Sequence, residues 1–141
     1  MTKQETKYFL AGVMQKNNLE GKVCNQNYRS VLTKIIEEND PMSSIYDPWA
    51  AYDPDENLSI SETFLGNIEK AGEADITIAF IPEASMGTAC EIYRAKQMNK
   101  TIWAITPLKK SWVMISLCNE IFESIEEFTT FFKDLQNQKK N

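Results

Sequence analysis

Three short runs in this chain are apolar at nearly every position, and each is bounded by a glycine or a proline. They are residues 8–13 (YFLAGV), 75–81 (DITIAFI, closed by Pro82) and 101–106 (TIWAIT, closed by Pro107). A strand with one wet face alternates polar and apolar residues; these do not, so both of their faces must be covered. Between them lie segments of helical period. Residues 27–38 carry Tyr28, Val31, Leu32, Ile35 and Ile36, with Asn39-Asp40-Pro41 as a stop. Residues 61–71 form a helix opened by a serine cap, and residues 85–99 and 112–118 form two more. Residues 125–136 close the chain as an amphipathic helix, after which the QNQKKN tail is expected to fray. Residues 44–46 read as a weak strand, 121–122 as a short strand or turn, and 47–59 (DPWAAYDPDENLS) as a long loop. Strands alternating with helices predict one α/β domain over residues 1–141. The expected architecture is a three-layer sandwich on a parallel sheet of about five strands, with 8–13 and 75–81 central.

Composition narrows the chemistry. The chain has no histidine, which excludes Ser-His-Asp and Cys-His mechanisms, His-ligated metals and imidazole acid–base work. It has neither a phosphate-binding P-loop nor a G-x-G-x-x-G dinucleotide fingerprint, and no cofactor or metal is expected. A formal charge of -5 argues against nucleic acid and against an anionic membrane surface. No apolar run reaches the roughly 18 residues of a membrane span, and the amino-terminal stretch lacks the apolar core of a signal peptide. Cys24, Cys90 and Cys118 are odd in number and scattered, which fits a reducing cytoplasm better than a disulfide framework.

In a parallel sheet, ligands sit beyond the carboxyl ends of the strands, so the loops after Val13, Tyr46, Ile81 and Thr106 are the place to look. Residues 82–98 (PEASMGTACEIYRAKQM) carry most of the chemistry there. Ser85 stands at a helix N-cap, with Gly87 and Thr88 in the first turn. Free amides and the positive end of the helix dipole favour an anion at that point, although for Ser85 alone a plain capping role is the favoured account. Glu91 shares a helical face with Gly87, Thr88, Ala95 and Met98, the small and apolar face that should lie on the sheet. A carboxylate there must either pair, with Arg94 or a lysine, or line a cavity. Trp49 and Tyr52 can stack on a base or anchor the loop; Cys90 reads as small packing; Trp112, beside Lys109 and Lys110, reads equally as core or as contact surface. Glu120, Glu123, Glu126 and Glu127 read as a solvated face.

Tyr8-Phe9-Leu10-Ala11-Gly12, Ala74-Asp75 before a strand, and Ser85-Met86-Gly87-Thr88-Ala89-Cys90-Glu91 together resemble the nucleoside 2-deoxyribosyltransferase family, over roughly residues 7–106. The resemblance implies a flavodoxin-like doubly wound fold and a small-molecule nucleoside or nucleotide substrate. It implies that Glu91 is the nucleophile attacking the anomeric carbon and that Tyr8 orients it by hydrogen bonding. Ser85 stands where many family members carry an acid. It resembles the branch that hydrolyses 2-deoxynucleoside 5'-monophosphates and CMP, in which this serine meets the phosphate. Asn67 occupies the place of the family's second carboxylate and cannot donate a proton as an acid does. Glu62, Glu69, Asp47 and Asp53 are candidates to replace it. The segment after Gly12 lacks the serine and arginine of the monophosphate hydrolases, for which Lys16 or Arg29 can compensate. The expected substrate-binding set is therefore Gly12, Asn67, Ser85, Gly87, Thr88, Asp47, Trp49 and Asp53. Family members complete their sites across dimer interfaces, which implies a homodimer or larger, with the segment around Trp112 reaching a neighbour. The alternative is a nucleotide-binding or regulatory module with the same fold and no turnover.

Overall fold

A computed structural model describes residues 5–14 and 25–140. Five strands lie in the order β2-β1-β3-β4-β5 and every pairing is parallel. They are β1 (Lys7–Gly12), β2 (Ser44–Tyr46), β3 (Ile76–Phe80), β4 (Thr101–Ile105) and β5 (Glu120–Phe122). The helices are α1 (Asn27–Asn39), α2 (Pro48–Ala51), α3 (Ile60–Glu73), α4 (Met86–Gln97), α5 (Trp112–Leu117) and α6 (Ile125–Lys139). The two runs expected at the centre, β1 and β3, pair with each other from Tyr8 opposite Ile76 to Gly12 opposite Phe80. This strand order is that of the flavodoxin-like doubly wound fold.

Period-two alternation along the strands sends successive side chains into two different cores. Tyr8, Leu10, Ile78 and Trp103 meet Leu32 and Ile36 of α1 and Phe128 and Phe132 of α6. Phe9, Ala11, Ala79 and Ala104 meet Ala71 of α3, Ile92 and Ala95 of α4 and Met114 of α5. The first core is built of large rings, with Tyr8 edge-on to Phe132 at 5.9 Å and Trp103 edge-on to Phe131 at 5.2 Å. The second is rich in alanine, so α3 and α4 come close to the sheet and to each other. A Cβ on Gly72 of α3 would lie 3.1 Å from Arg94 Cγ of α4.

Two expectations are corrected. Residues 47–59 are not without regular structure, because Asp47 and Asp53 each cap a short helical turn whose first residue is a proline. Asp47 accepts from the Trp49 amide ahead of α2, and Asp53 accepts from the Asp55 amide ahead of a 3-10 turn, Pro54–Glu56. The tail does not fray at residue 136. Helix α6 runs to Lys139, and Gln136 continues the stripe of Phe128 and Phe132 into the core. Helix α3 starts at Ile60, where Ser59 and Glu62 form a reciprocal capping box. Among the described residues no helix is long and apolar enough to cross a membrane.

Candidate active site

At the carboxyl end of the sheet, α3 and the first half of α4 line a cleft of about 520 Å³. Strand β3 ends at Phe80, the chain turns, and Ser85 starts α4 there. Its hydroxyl accepts from the Thr88 amide at 3.2 Å and donates to the Thr88 hydroxyl at 2.9 Å. Two turns in, α4 presents Glu91. Gly12, Asn67, Ser85, Gly87, Thr88 and Glu91, six of the residues singled out from sequence, line this one cleft.

Glu91 is 6% exposed, and among the described residues no hydrogen bond or ion pair meets its carboxylate. Arg94, the expected partner, turns to Glu69 at 3.4 Å. Loss of water pushes the Glu91 carboxyl up to about 8, against the opposing pull of the Arg29 guanidinium. A buried, unpaired acid facing a cleft at a strand's carboxyl end is poised for covalent or proton-transfer chemistry.

Among the described residues, Arg29 is the buried cation of this region. Its Nη1 donates to Asp47 Oδ1 at 2.8 Å and to the Leu10 carbonyl at 3.3 Å, its Nη2 to the Gly12 carbonyl at 3.4 Å, and its Nε to Gln26 Oε1 at 2.7 Å. With all these partners inside the protein, Arg29 braces the ends of β1 and β2; it does not stand in the cleft wall as a phosphate ligand. Gly12 is required by what lies beside it. A Cβ there would fall 2.0 Å from the Tyr28 hydroxyl, and the Tyr28 ring is fixed against Phe80 at 4.5 Å.

Several expected site residues lie elsewhere. Tyr8 does not orient Glu91: alternation along β1 points it into the opposite core, where its hydroxyl donates to Asp40 Oδ2 at 2.8 Å. Burial and the Asp40 carboxylate hold that phenol strongly toward its neutral form. Asp47 is committed to Arg29 and to the Trp49 amide, and it lies outside the cleft. Trp49 is half exposed and lines no part of the cleft. Asp53 borders a smaller neighbouring cavity of about 140 Å³, which shares Tyr52 and Asn67 with the main cleft. Glu62 is drawn below its usual range by its bonds to Ser59 at the α3 cap, Glu69 is paired with Arg94, and neither lines the main cleft. Cys90 is exposed and lines the cleft, contrary to the packing role expected for it. Cys118 is partly buried, its thiol pushed up to about 11. Lys16 and Cys24 lie outside the described residues.

Of the far wall of the cleft, where Ile60, Thr63, Phe64 and Asn67 form one stripe of α3, sequence reasoning found Asn67 and missed the other three. Their i, i+3, i+4, i+7 spacing is plain in the sequence, but it is also the spacing of a core-facing stripe. Among the described residues no group of three or more cysteines and carboxylates is arranged to hold a metal.

Neither a protein-family model nor a curated protein matches the sequence. Solved structures match it over nearly its whole length. A conserved protein from Enterococcus faecalis V583 superposes with a TM-score of 0.71 at 16% identity, covering 93% of this chain and 99% of that one. The 2-deoxyribosyltransferase of Bacillus psychrosaccharolyticus gives 0.64 at 18% identity, over 94% and 91%. The CMP N-glycosidase of Clostridium botulinum gives 0.53 at 20% identity, over 92% and 98%. What these proteins share with this chain is a fold.

Proposed function

We propose that this chain cleaves the N-glycosidic bond of a (deoxy)nucleoside or its 5'-monophosphate, with Glu91 as nucleophile. The observation that carries the reading is the Glu91 carboxylate, buried in the lining of the cleft and without a partner among the described residues. A Glu91 oxygen bonds to the anomeric carbon as the bond to the base nitrogen breaks. The base leaves with the electron pair and takes up a proton. Water or a second base then displaces the carboxylate and regenerates it. Asn67, in the same cleft, can hydrogen-bond the departing base but cannot protonate it, so the proton comes from solvent in this scheme. The paired hydroxyls of Ser85 and Thr88 at the start of α4 suit a phosphate, because they offer donors and no negative charge. That two proteins of this fold are a deoxyribosyltransferase and a CMP N-glycosidase supports the reaction class. The assembly belongs to the same reading: a homodimer or larger, with the exposed Trp112 at the contact.

The test is trapping. A 2-deoxy-2-fluoro nucleoside and its 5'-monophosphate are each incubated with the protein, and the peptide containing Glu91 is searched for a glycosyl mass adduct. An adduct that disappears in Glu91→Gln establishes the nucleophile; full turnover by Glu91→Gln refutes it. The residue at position 67 favours one other reading, a nucleotide-binding module without turnover. Saturable nucleotide binding with no base release by the wild type would select it.

A further inference from the structure

We infer that the nucleobase bound in this cleft carries an apolar substituent, an alkyl or aryl group, and that Ile60 and Met86 select for it. The inference rests on the nucleotide reading of the cleft and names the substrate class within it. Its first ground is the direction of the two helices. Helix α3 leads into β3 and α4 leads out of it, so both begin at the carboxyl end of the sheet. Asn67 and Glu91 lie well inside their helices, whereas Ile60 and Met86 are the first residues of theirs, and all four line the cleft. Leu58 and Tyr52, ahead of α3, continue the apolar lining, while the hydroxyl pair of Ser85 and Thr88 supplies the phosphate end. The second ground is length. From Asn67 to Ile60 the wall of α3 runs for about 10 Å, and a single nucleobase ring covers about one helical turn of it. A bare base held at Asn67 therefore leaves Ile60, Leu58 and Met86 uncovered.

The third ground is chemistry. Outward from Asn67 the cleft-facing residues of α3 are Phe64, Thr63 and Ile60, and the Ser59 hydroxyl beyond them is taken up by the Glu62 amide. An amino or keto group of a base gains little along such a wall, whereas a hydrocarbon laid on it leaves water. The Phe64 ring reaches across to the start of α4, because a Cβ on Gly87 would lie 3.5 Å from Phe64 Cε2. An aryl group entering between the two helix starts therefore meets an aromatic surface. Ile60 and Met86 belong to neither core and stand largely in water, so packing does not account for them. A second copy of the chain laid over the cleft is the competing occupant.

The test compares affinities by calorimetry in Glu91→Gln, so that turnover does not enter. The probes are 2'-deoxycytidine 5'-monophosphate and its N4-benzyl derivative, and 2'-deoxyuridine 5'-monophosphate and its 5-benzyl derivative. At least one benzyl compound should bind about tenfold tighter than its parent, or more. That ratio should fall toward one when Ile60→Ser or Met86→Ser is added; both positions are exposed helix starts, so neither change opens the core. Val31→Ser, an exposed position of α1 outside the cleft, should keep the full ratio. Equal affinities for both pairs overturn the inference, as does a preference that survives both serine variants of the cleft, or no binding of any probe. Equal affinities with a drop in sedimenting mass on Ile60→Ser assign the patch to a second copy instead. Base release is then followed with the wild type. A benzyl preference without release leaves this inference standing and refutes the cleavage reading, whereas release without the preference does the reverse.

Discussion

Because the folded Glu91 carboxyl titrates near 8 and an unfolded one near 4.5, the native state holds an extra proton between those values. Stability from this group is full below 4.5, falls as pH rises through about 8, and is level above. Glu91→Gln removes that dependence. The variant should unfold with a gain of about 2–4 kcal/mol over wild type at pH 9, shrinking toward zero at pH 4, as measured by denaturant titration. Cleavage should run the opposite way, rising through pH 8 as the nucleophile ionises and absent in the variant. Tyr8→Phe separates a catalytic role from a structural one. It should cost about 1–3 kcal/mol by leaving the buried Asp40 without its phenolic donor, and should leave kcat nearly unchanged. Glu91 was legible in sequence because one helix face is decided by spacing alone. The role of Tyr8 was not, because alternation shows that positions 8 and 9 face apart without showing which helices cover which face. Arg29 stands out in sequence only as a stand-in for a missing phosphate contact, and only the closing of α1 over the ends of β1 and β2 reveals its partners.

Local signals located α1 and the central strands, each closed by a breaker, better than the short turns within residues 47–59, which read in sequence as a loop. The capping box of α3 and the proline-led turns after Asp47 and Asp53 are all written in neighbouring residues. Ser59→Ala should therefore cost about 1 kcal/mol in chemical unfolding, and because α3 supplies one wall of the cleft it should also weaken nucleotide binding. The end of α6 was illegible for a different reason. The amide-rich and basic composition of residues 136–141 suggests fraying, while the spacing of Phe128, Phe132 and Gln136 continues one buried stripe. Here burial outweighs composition. Gln136 is 3% exposed, and ending the chain at residue 135 should lower stability by about 1–3 kcal/mol by removing that buried turn. Ending it at residue 139 should leave the unfolding curve unchanged.

The distribution of apolar surface over the whole molecule is uneven. On the α3, α4 and α5 side of the sheet, Ile60 is 90% exposed, Met86 73% and Trp112 87%, and Val113 and Ile115 flank the tryptophan. On the other side α6 exposes no large apolar side chain, and α1 exposes Val31. Scattered single residues of this kind need no explanation, but a tryptophan standing almost wholly in water beside two further apolar side chains does. Covering its ring alone is worth a few kcal/mol at about 25 cal/mol per Å² of apolar area. Self-association covers it without asking any other partner of the chain. Helix α5 begins soon after the carboxyl end of β4, the edge of the sheet at which the cleft opens, so a subunit docked on Trp112 lies on the cleft side of the molecule. Sedimentation equilibrium at micromolar concentration should give a dimer or larger, and Trp112→Glu should give a monomer with an unchanged far-ultraviolet spectrum. If the neighbour completes the site, the same variant should lose most of its cleavage activity. Mixing it with Glu91→Gln, whose own nucleophile is gone but whose Trp112 is intact, should restore part of that activity in mixed dimers. A wild type that sediments as a monomer, or a monomeric Trp112→Glu with full activity, would show that each chain works with the cleft it builds alone.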